Sequence, residues 1–260
     1  MGKKDADIAY AQGFEVNENS LLAHGDCLEV MKNIPDNSID LCLTDPPYGT
    51  TACKWDSVIP FKPMWEQLKR VTKDNGAICL FGSEPFSSNL RMSNIKMFKY
   101  DWYWKKSTCT CFVHAKRMPL RNVEMISVFY KQQPTYRPQG LKQINKKVTI
   151  PDNRGSNLFN SRGKERLIAI QEFTNYPKHF QEFKSESGQH TSQKPVPLLE
   201  YLINTYTLEN ETVLDFTMGS GSTGVACKRL KRKFIGIEKK RKYYNIARKR
   251  IYQTIIPLFI

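Results

Sequence analysis

Short apolar runs alternate with amphipathic stretches at both ends of this 260-residue chain, and that alternation restricts the fold more than any other feature. Residues 20–25 form a candidate strand, 27–33 a helix that Pro35 closes, and 39–44 a buried strand. Met64, Trp65, Leu68 and Val71 share one helical face, and an Asp74-Asn75-Gly76 turn leads into a further buried strand at 77–81. Residues 98–105 and 123–130 alternate as strands around a polar, basic loop. Near the other end, Leu198, Leu199, Leu202 and Ile203 make a helical stripe. A strand at 212–216, a helix at 223–230, a strand at 234–237 and a helix at 239–252 follow it. Such alternation predicts an open, doubly wound, mostly parallel α/β sheet.

Between the two regular ends the periodicity fades. Pro134, Pro138, Pro151 and Pro177 interrupt residues 131–189, a stretch too long for a loop in a compact domain. The expected organisation is one domain from 1–130 and 190–260, with 131–189 inserted as a small lobe.

Charge points to a partner. The net charge of +15 exceeds what solubility requires, so a polyanion is expected: nucleic acid first, an anionic membrane surface second. Residues 228–250 hold twelve Lys or Arg against Glu238 alone. Residues 91–121 hold eight against Asp101 and interleave them with Trp102, Tyr103, Trp104 and Phe112, a mixture suited to phosphate contact and stacking. No run of 18 apolar residues is present, so no membrane span is expected, and residues 1–10 lack a secretory pattern. Seven cysteines without a Cys-x-x-Cys pair predict a reduced, cytoplasmic chain with no structural metal.

Two motifs carry chemistry. In the first, Val213-Leu214-Asp215-Phe216 leads into Gly219, Gly221 and Gly224, and Glu238 ends the next strand. Glycine lets backbone approach a ligand where a Cβ would collide, and an acid at a strand tip can accept both hydroxyls of a ribose. A nucleoside cofactor is the expectation. Asp215 beside the turn would repel a pyrophosphate but attract a cation, such as the ammonium group of S-adenosylmethionine.

The second motif is Asp45-Pro46-Pro47-Tyr48, delivered by a buried strand to the edge where open α/β sheets bind ligands. An exocyclic amine on a base is a weak nucleophile because its lone pair is delocalised into the ring. The Asp45 carboxylate and the Pro46 carbonyl can each accept one of its hydrogens, which favours a tetrahedral nitrogen. Pro47 stiffens the backbone so that these acceptors need no reorganisation, and Tyr48 offers a surface for an extruded base.

Taken together, these motifs resemble the DNA amino-methyltransferases, and their order resembles the beta-type arrangement of that family. The resemblance implies a circularly permuted, Rossmann-like methyltransferase sheet with a target-recognition lobe at 131–189. It implies Asp45, Pro46, Pro47 and Tyr48 as the catalytic tetrad. For S-adenosylmethionine it implies Asp45, Asp215, Phe216, Gly219, Gly221 and Glu238, with Asp26 and Cys27 near the adenine. Lys194, within His190-Thr191-Ser192-Gln193-Lys194-Pro195, belongs near the methionine end. The family usually carries Phe two residues before the first loop glycine; here that place is Thr217 and Phe216 precedes it, so the side chain beside the methionine stays open. Lys105, Lys106, Lys116, Arg117 and Arg121 are expected on DNA phosphates. The implied activity is site-specific methylation of adenine N6 in duplex DNA by base flipping, with cytosine N4 as the alternative. A homodimer and a cognate restriction endonuclease are implied as possible partners. A dinucleotide-dependent oxidoreductase would leave the tetrad without a role, and a non-catalytic DNA-binding module would not need it intact.

Overall fold

The computed structural model describes residues 13–50, 56–151, 166–186 and 193–254. In chain order they form β1 (Glu15–Asn17), β2 (Ser20–His24), α1 (Cys27–Met31), β3 (Ile39–Thr44), α2 (Phe61–Val71), β4 (Thr72–Gly82), α3 (Phe86–Ser93), β5 (Phe98–Thr110) and β6 (Arg121–Phe129). There follow β7 (Lys142–Pro151), β8 (Arg166–Thr174), β9 (Phe180–Phe183), α4 (Val196–Tyr206), β10 (Thr212–Asp215), α5 (Ser222–Arg229), β11 (Lys233–Glu238) and α6 (Arg241–Gln253). They divide into two compact units, Pro138–Lys178 and the remainder.

The larger unit is built on a nine-stranded sheet of order β1-β2-β11-β10-β3-β4-β6-β5-β9. The run from β2 through β11, β10 and β3 to β4 is parallel throughout, while β6 is antiparallel to β4 and β5 antiparallel to β6. The two strands nearest the carboxyl end, β10 and β11, thus sit between β2 and β3, which is the expected permuted, mostly parallel sheet. From β10 the chain winds to β11 on one side while β3 lies on the other. Their carboxyl ends flank the switch point where doubly wound sheets bind ligands.

Helices cover both faces, which explains the near-continuous apolar runs of the central strands. Leu41 and Leu43 face a layer with Trp102, Trp104, Ile126 and the α4 stripe. Cys42, Ile78 and Leu80 face the opposite layer with Met64, Trp65 and Leu68 of α2. Among the described residues no helix is long and apolar enough to cross a membrane.

Two expectations need adjustment. The Asp74-Asn75-Gly76 turn lies inside β4 as a bulge. Ile39 pairs with Thr72 and Leu41 with Ala77, two residues along β3 against five along β4, so the intervening residues loop out without ending the strand. The second unit is also narrower than 131–189. Residues before it bond into the larger unit, where Gln132 donates its amide to the Asp74 carbonyl at 3.0 Å and Arg137 to that of Thr205 at 2.8 Å. After it, β9 pairs with β5. These segments are too short and too proline-broken to display a period, yet they complete the sheet edge. The second unit itself is the β7–β8 antiparallel ribbon with its connections.

Candidate active site

A cavity of about 510 Å³ opens at the carboxyl edge of the sheet, over the β10–β3 switch point. That volume lies in the range of small-molecule sites. Its walls come from 25–28 after β2, 45–48 after β3, 56–60, Glu124 of β6, Lys194, 215–220 after β10 and 238–240 after β11.

Parallel pairing of β3 with β10 brings the two motifs together across 171 residues of sequence. Thr44 Oγ1 donates to Asp215 Oδ1 at 3.1 Å and accepts from the Phe216 amide at 3.1 Å. Thr217 Oγ1 donates to the Asp45 carbonyl at 3.0 Å. The acid-and-proline turn and the glycine turn are therefore hydrogen-bonded neighbours.

Asp45 is the centre of a half-buried chain of charges. Its Oδ1 accepts from the Tyr48 hydroxyl and its Oδ2 from Lys194 Nζ. Lys194 Nζ also lies 3.2 Å from Glu124 Oε2, and Glu124 Oε1 accepts from Lys106 Nζ at 3.0 Å. Burial raises the Asp45 pKa, Lys194 opposes that, and the Glu124 charge adds to it. Burial lowers the Lys194 pKa, but Asp45 and Glu124 outweigh it, so the ammonium is held above its ordinary value. Burial raises Glu124 too, and Lys194 and Lys106 outweigh it, holding that carboxyl low. The Tyr48 ring stacks on Phe86 at 5.1 Å between centroids. Burial and the neighbouring Asp45 carboxylate raise the Tyr48 hydroxyl well above its usual range. Asp56 braces the turn that follows by accepting from the amides of Gly49 and Thr50 at 2.8 and 2.9 Å.

On the glycine-turn side, Asp215 accepts from Thr223 Oγ1 at 2.6 Å and from the Thr217 amide at 3.2 Å. Burial nevertheless pushes its carboxyl up to about 7, with those hydrogen bonds opposing. Glu238 accepts from the amides of Gly219 and Lys240 at 3.0 and 2.6 Å, and burial raises its pKa against them. Gly219 has φ +52°, and a Cβ there would meet nothing nearer than the Thr217 carbonyl at 4.0 Å, so the backbone lies open to the cavity.

Asp26 lies at the rim. It caps α1 through the Leu28 amide at 3.0 Å and pairs with Lys239 at 2.9 Å; burial opposes, but these bonds hold its carboxyl below the usual range. Cys27 lies beside it on the cavity wall.

Several expected site residues have other surroundings than the motifs suggested, although Phe216 and Lys194 do line the cavity. Gly221 is not on the wall: its φ is +81° and a Cβ would sit 2.8 Å from that of Ala247, so its role is to let α5 and α6 approach. Phe216 is only 1% exposed within the apolar layer and borders the cavity, while Thr217 faces the Asp45 turn. Lys194 is 8% exposed and its ammonium is spent on Asp45 and Glu124. Lys106 is half-buried, with its ammonium spent on Glu124 and not free for phosphate. Lys105 pairs with Glu182 at 2.8 Å on the surface, and Lys116, Arg117 and Arg121 are exposed outside the cavity. His190, Thr191 and Ser192 lie outside the described residues. Glu124 and Thr44 were not anticipated. The signal for Glu124 is its spacing: it alternates with Ile126 and Val128 of β6, both fully buried, which places an acid on a core face.

The family model for N6/N4 DNA methylases matches residues 39–249. The type II methyltransferase M2.LlaDCHI of Lactococcus lactis subsp. cremoris is 28% identical over 91% of this chain and 91% of that protein. Among solved structures, the M1.HpyAVI complex with S-adenosylmethionine aligns with a TM-score of 0.61 at 26% identity, covering 89% of this chain and 99% of that one. The PvuII cytosine-N4-specific DNA methyltransferase aligns with a TM-score of 0.66 at 18% identity over 93% and 89%, a likeness of fold.

Proposed function

The chain belongs to the N6/N4 DNA methylase family, and from that membership we propose that it methylates the N6 of adenine at a specific site in duplex DNA, with S-adenosylmethionine as donor. The observation that carries this is the placement of Asp45 and Tyr48 against the glycine turn, within one cavity. Asp at the head of the tetrad, the form that goes mostly with adenine, supports N6 over the cytosine alternative.

The cavity suits the cofactor. Glu238 is set to take the ribose hydroxyls, Asp26 and Cys27 border the adenine end, and the bare backbone at Gly219 leaves room for close approach. Asp215 answers the ammonium, whose charge would hold its carboxyl ionised. Bound there, S-adenosylmethionine supplies a methyl group on a positive sulfur, so transfer requires alignment and no metal-borne nucleophile.

The chain's own residues prepare the acceptor. A flipped base presents its amine where the Tyr48 hydroxyl now meets Asp45, and Asp45 Oδ1 accepts one N–H in its place. The Pro46 carbonyl is the second acceptor. Lys194 keeps Oδ2 engaged, so Asp45 offers the amine one oxygen in one orientation. Once methylated, the nitrogen must shed a proton, and burial gives Asp45 the raised basicity to receive it. The unit at 138–178 supplies the target-recognition surface. The type II relative favours a restriction endonuclease of the same site as partner.

The test is to incubate the protein with labelled S-adenosylmethionine and plasmid of mixed sequence, then sequence single molecules for modified bases. N6-methyladenine at one recurrent motif is expected. N4-methylcytosine would overturn the choice of base, and unmodified DNA the enzymatic assignment itself.

A further inference from the structure

The register of β6 carries the β5–β6 hairpin past the end of β4, from a base at which Glu124 lines the cavity. The last pair between β4 and β6 is Gly82 with Met125, so residues 121–124 continue past the end of β4 with β5 as their partner. Four residues of strand extend about 13 Å. The first of them, Glu124, touches Lys194 in the cavity, so the hairpin projects from the catalytic edge. At its neck, Thr110 pairs with Arg121, and Thr110 Oγ1 donates to the Arg121 carbonyl at 3.1 Å.

The tip beyond that neck is ordered and apolar. Cys111 takes a left-handed φ of 69° and starts a single 3₁₀ turn over Phe112–His114. The amides of His114, Ala115 and Arg117 donate to the carbonyls of Cys111, Phe112 and His114 at 2.8 to 3.0 Å. This rigid turn holds Phe112 71% exposed and Val113 93% exposed. Lys116 and Arg117 follow the turn and Arg121 stands at its neck, all three exposed, and the hairpin carries no acid from 102 to 123. An apolar point in a cationic collar is too small for a flat protein interface. It matches one gap in a base stack with phosphates on either side, where side chains such as Phe act as wedges.

We propose that Phe112 and Val113 enter the DNA duplex beside the target base and prop the stack open while that base occupies the cavity. The proposal rests on the DNA methyltransferase reading and adds the device that opens the duplex. Flipping leaves a hole whose cost falls when the target is already unpaired. A wedge is therefore needed on paired DNA and dispensable on DNA opened beforehand.

The experiment compares the parent protein, a Phe112→Ser/Val113→Ser double variant and Phe112→Leu. Each acts on two duplexes carrying the site found by plasmid sequencing: one fully paired, one with an abasic position opposite the target. The double variant is expected to lose on the order of 30-fold in single-turnover rate on the paired duplex and to stay within about threefold of the parent on the abasic one. Phe112→Leu should restore most of the loss. Equal losses on both duplexes, or none on either, would overturn the wedge while the enzyme stands. A parent protein that methylates neither duplex would overturn the enzymatic reading and the wedge with it.

Discussion

At the carboxyl edge of the sheet, Tyr48, Asp45, Lys194, Glu124 and Lys106 each touch the next, and four separate segments of chain are needed to place them. In the 138–178 unit none of the described residues with a placed side chain is buried, and Ile168 and Ile170 of β8 stand 77% and 65% exposed. In the first region Lys194 and Lys106 are spent on Asp45 and Glu124. Preorganised catalysis requires groups that cannot relax, and a crowded interior supplies that constraint. A two-stranded ribbon has little core of its own, and its backbone pairing leaves the side chains free to meet a partner. Substitutions in the first region should therefore change rate and stability together, whereas those in the second should change partner recognition alone.

The largest effect tests the rigid side of this contrast. Asp45→Ala removes an acceptor proposed for the amine and should lower single-turnover methyl transfer at saturating cofactor by about 10³-fold. Transfer at the parent rate would break the assignment of Asp45. Next is Ile126→Ala, in the same strand as Glu124 and fully buried, which should cost about 3 kcal/mol in urea unfolding.

Glu124→Gln sharpens the comparison, because it changes charge at nearly constant shape. It leaves Lys106 without its carboxylate and Lys194 with Asp45 alone. Breaking a buried pair from one side costs about 3 kcal/mol, so the melting temperature should fall. Glu124 also contributes to the raised Asp45 pKa, and its loss should lower that pKa. The acidic limb of the pH–rate profile should then move to lower pH and the plateau rate drop by about tenfold. A lower melting temperature with an unmoved limb would confine Glu124 to a structural part.

How far the chain could be read beforehand follows the same division. That the Asp45 and Gly219 motifs meet was legible because each is a contiguous run after an apolar strand, and parallel winding brings strand tips to one edge. The Lys106–Glu124 pair was not legible, because it depends on which strands are neighbours and in what register. Lys106 continues the buried face of Trp102 and Trp104, and Glu124 pairs across the ladder from Trp104. Each residue taken alone resembles a solvated charge on a basic hairpin. Gly221 was misplaced for a related reason: a glycine spared for helix packing and one spared for a ligand look alike until Ala247 is seen beside it. The middle segment hid β9 because a four-residue edge strand is too short to show a period.

Asp215 offers a smaller, pH-dependent effect. Burial raises its carboxyl from 3.8 to about 7, so between those values the folded chain holds a proton that the unfolded chain releases. Ligand-free stability should therefore fall as pH rises through that interval, and Asp215→Asn should remove this part of the decline. Cofactor binding favours the ionised form, so affinity should weaken as pH drops below about 7, by at most tenfold per unit. Calorimetric titration from pH 5.5 to 8.5 measures it, and an equal slope in Asp215→Asn would detach Asp215 from the ammonium.

The smallest energetic effect belongs to the ribbon. Lys147 pairs with Ile170 and Thr149 with Ile168, so these four side chains share one face, and all four are exposed. A ribbon of this width fits the major groove, where apolar groups contact thymine methyls and lysine meets guanine acceptors. Ile168→Ala with Ile170→Ala should shift unfolding by no more than about 0.5 kcal/mol, against about 3 for the single change at Ile126. The same double variant should relax or move the methylated motif on plasmid DNA, at a cofactor affinity equal to the parent's. A preserved motif would mean that the exposed face does not read bases. A large loss of stability would mean that the ribbon is held by its side chains after all, and the contrast between the two regions would then be one of degree.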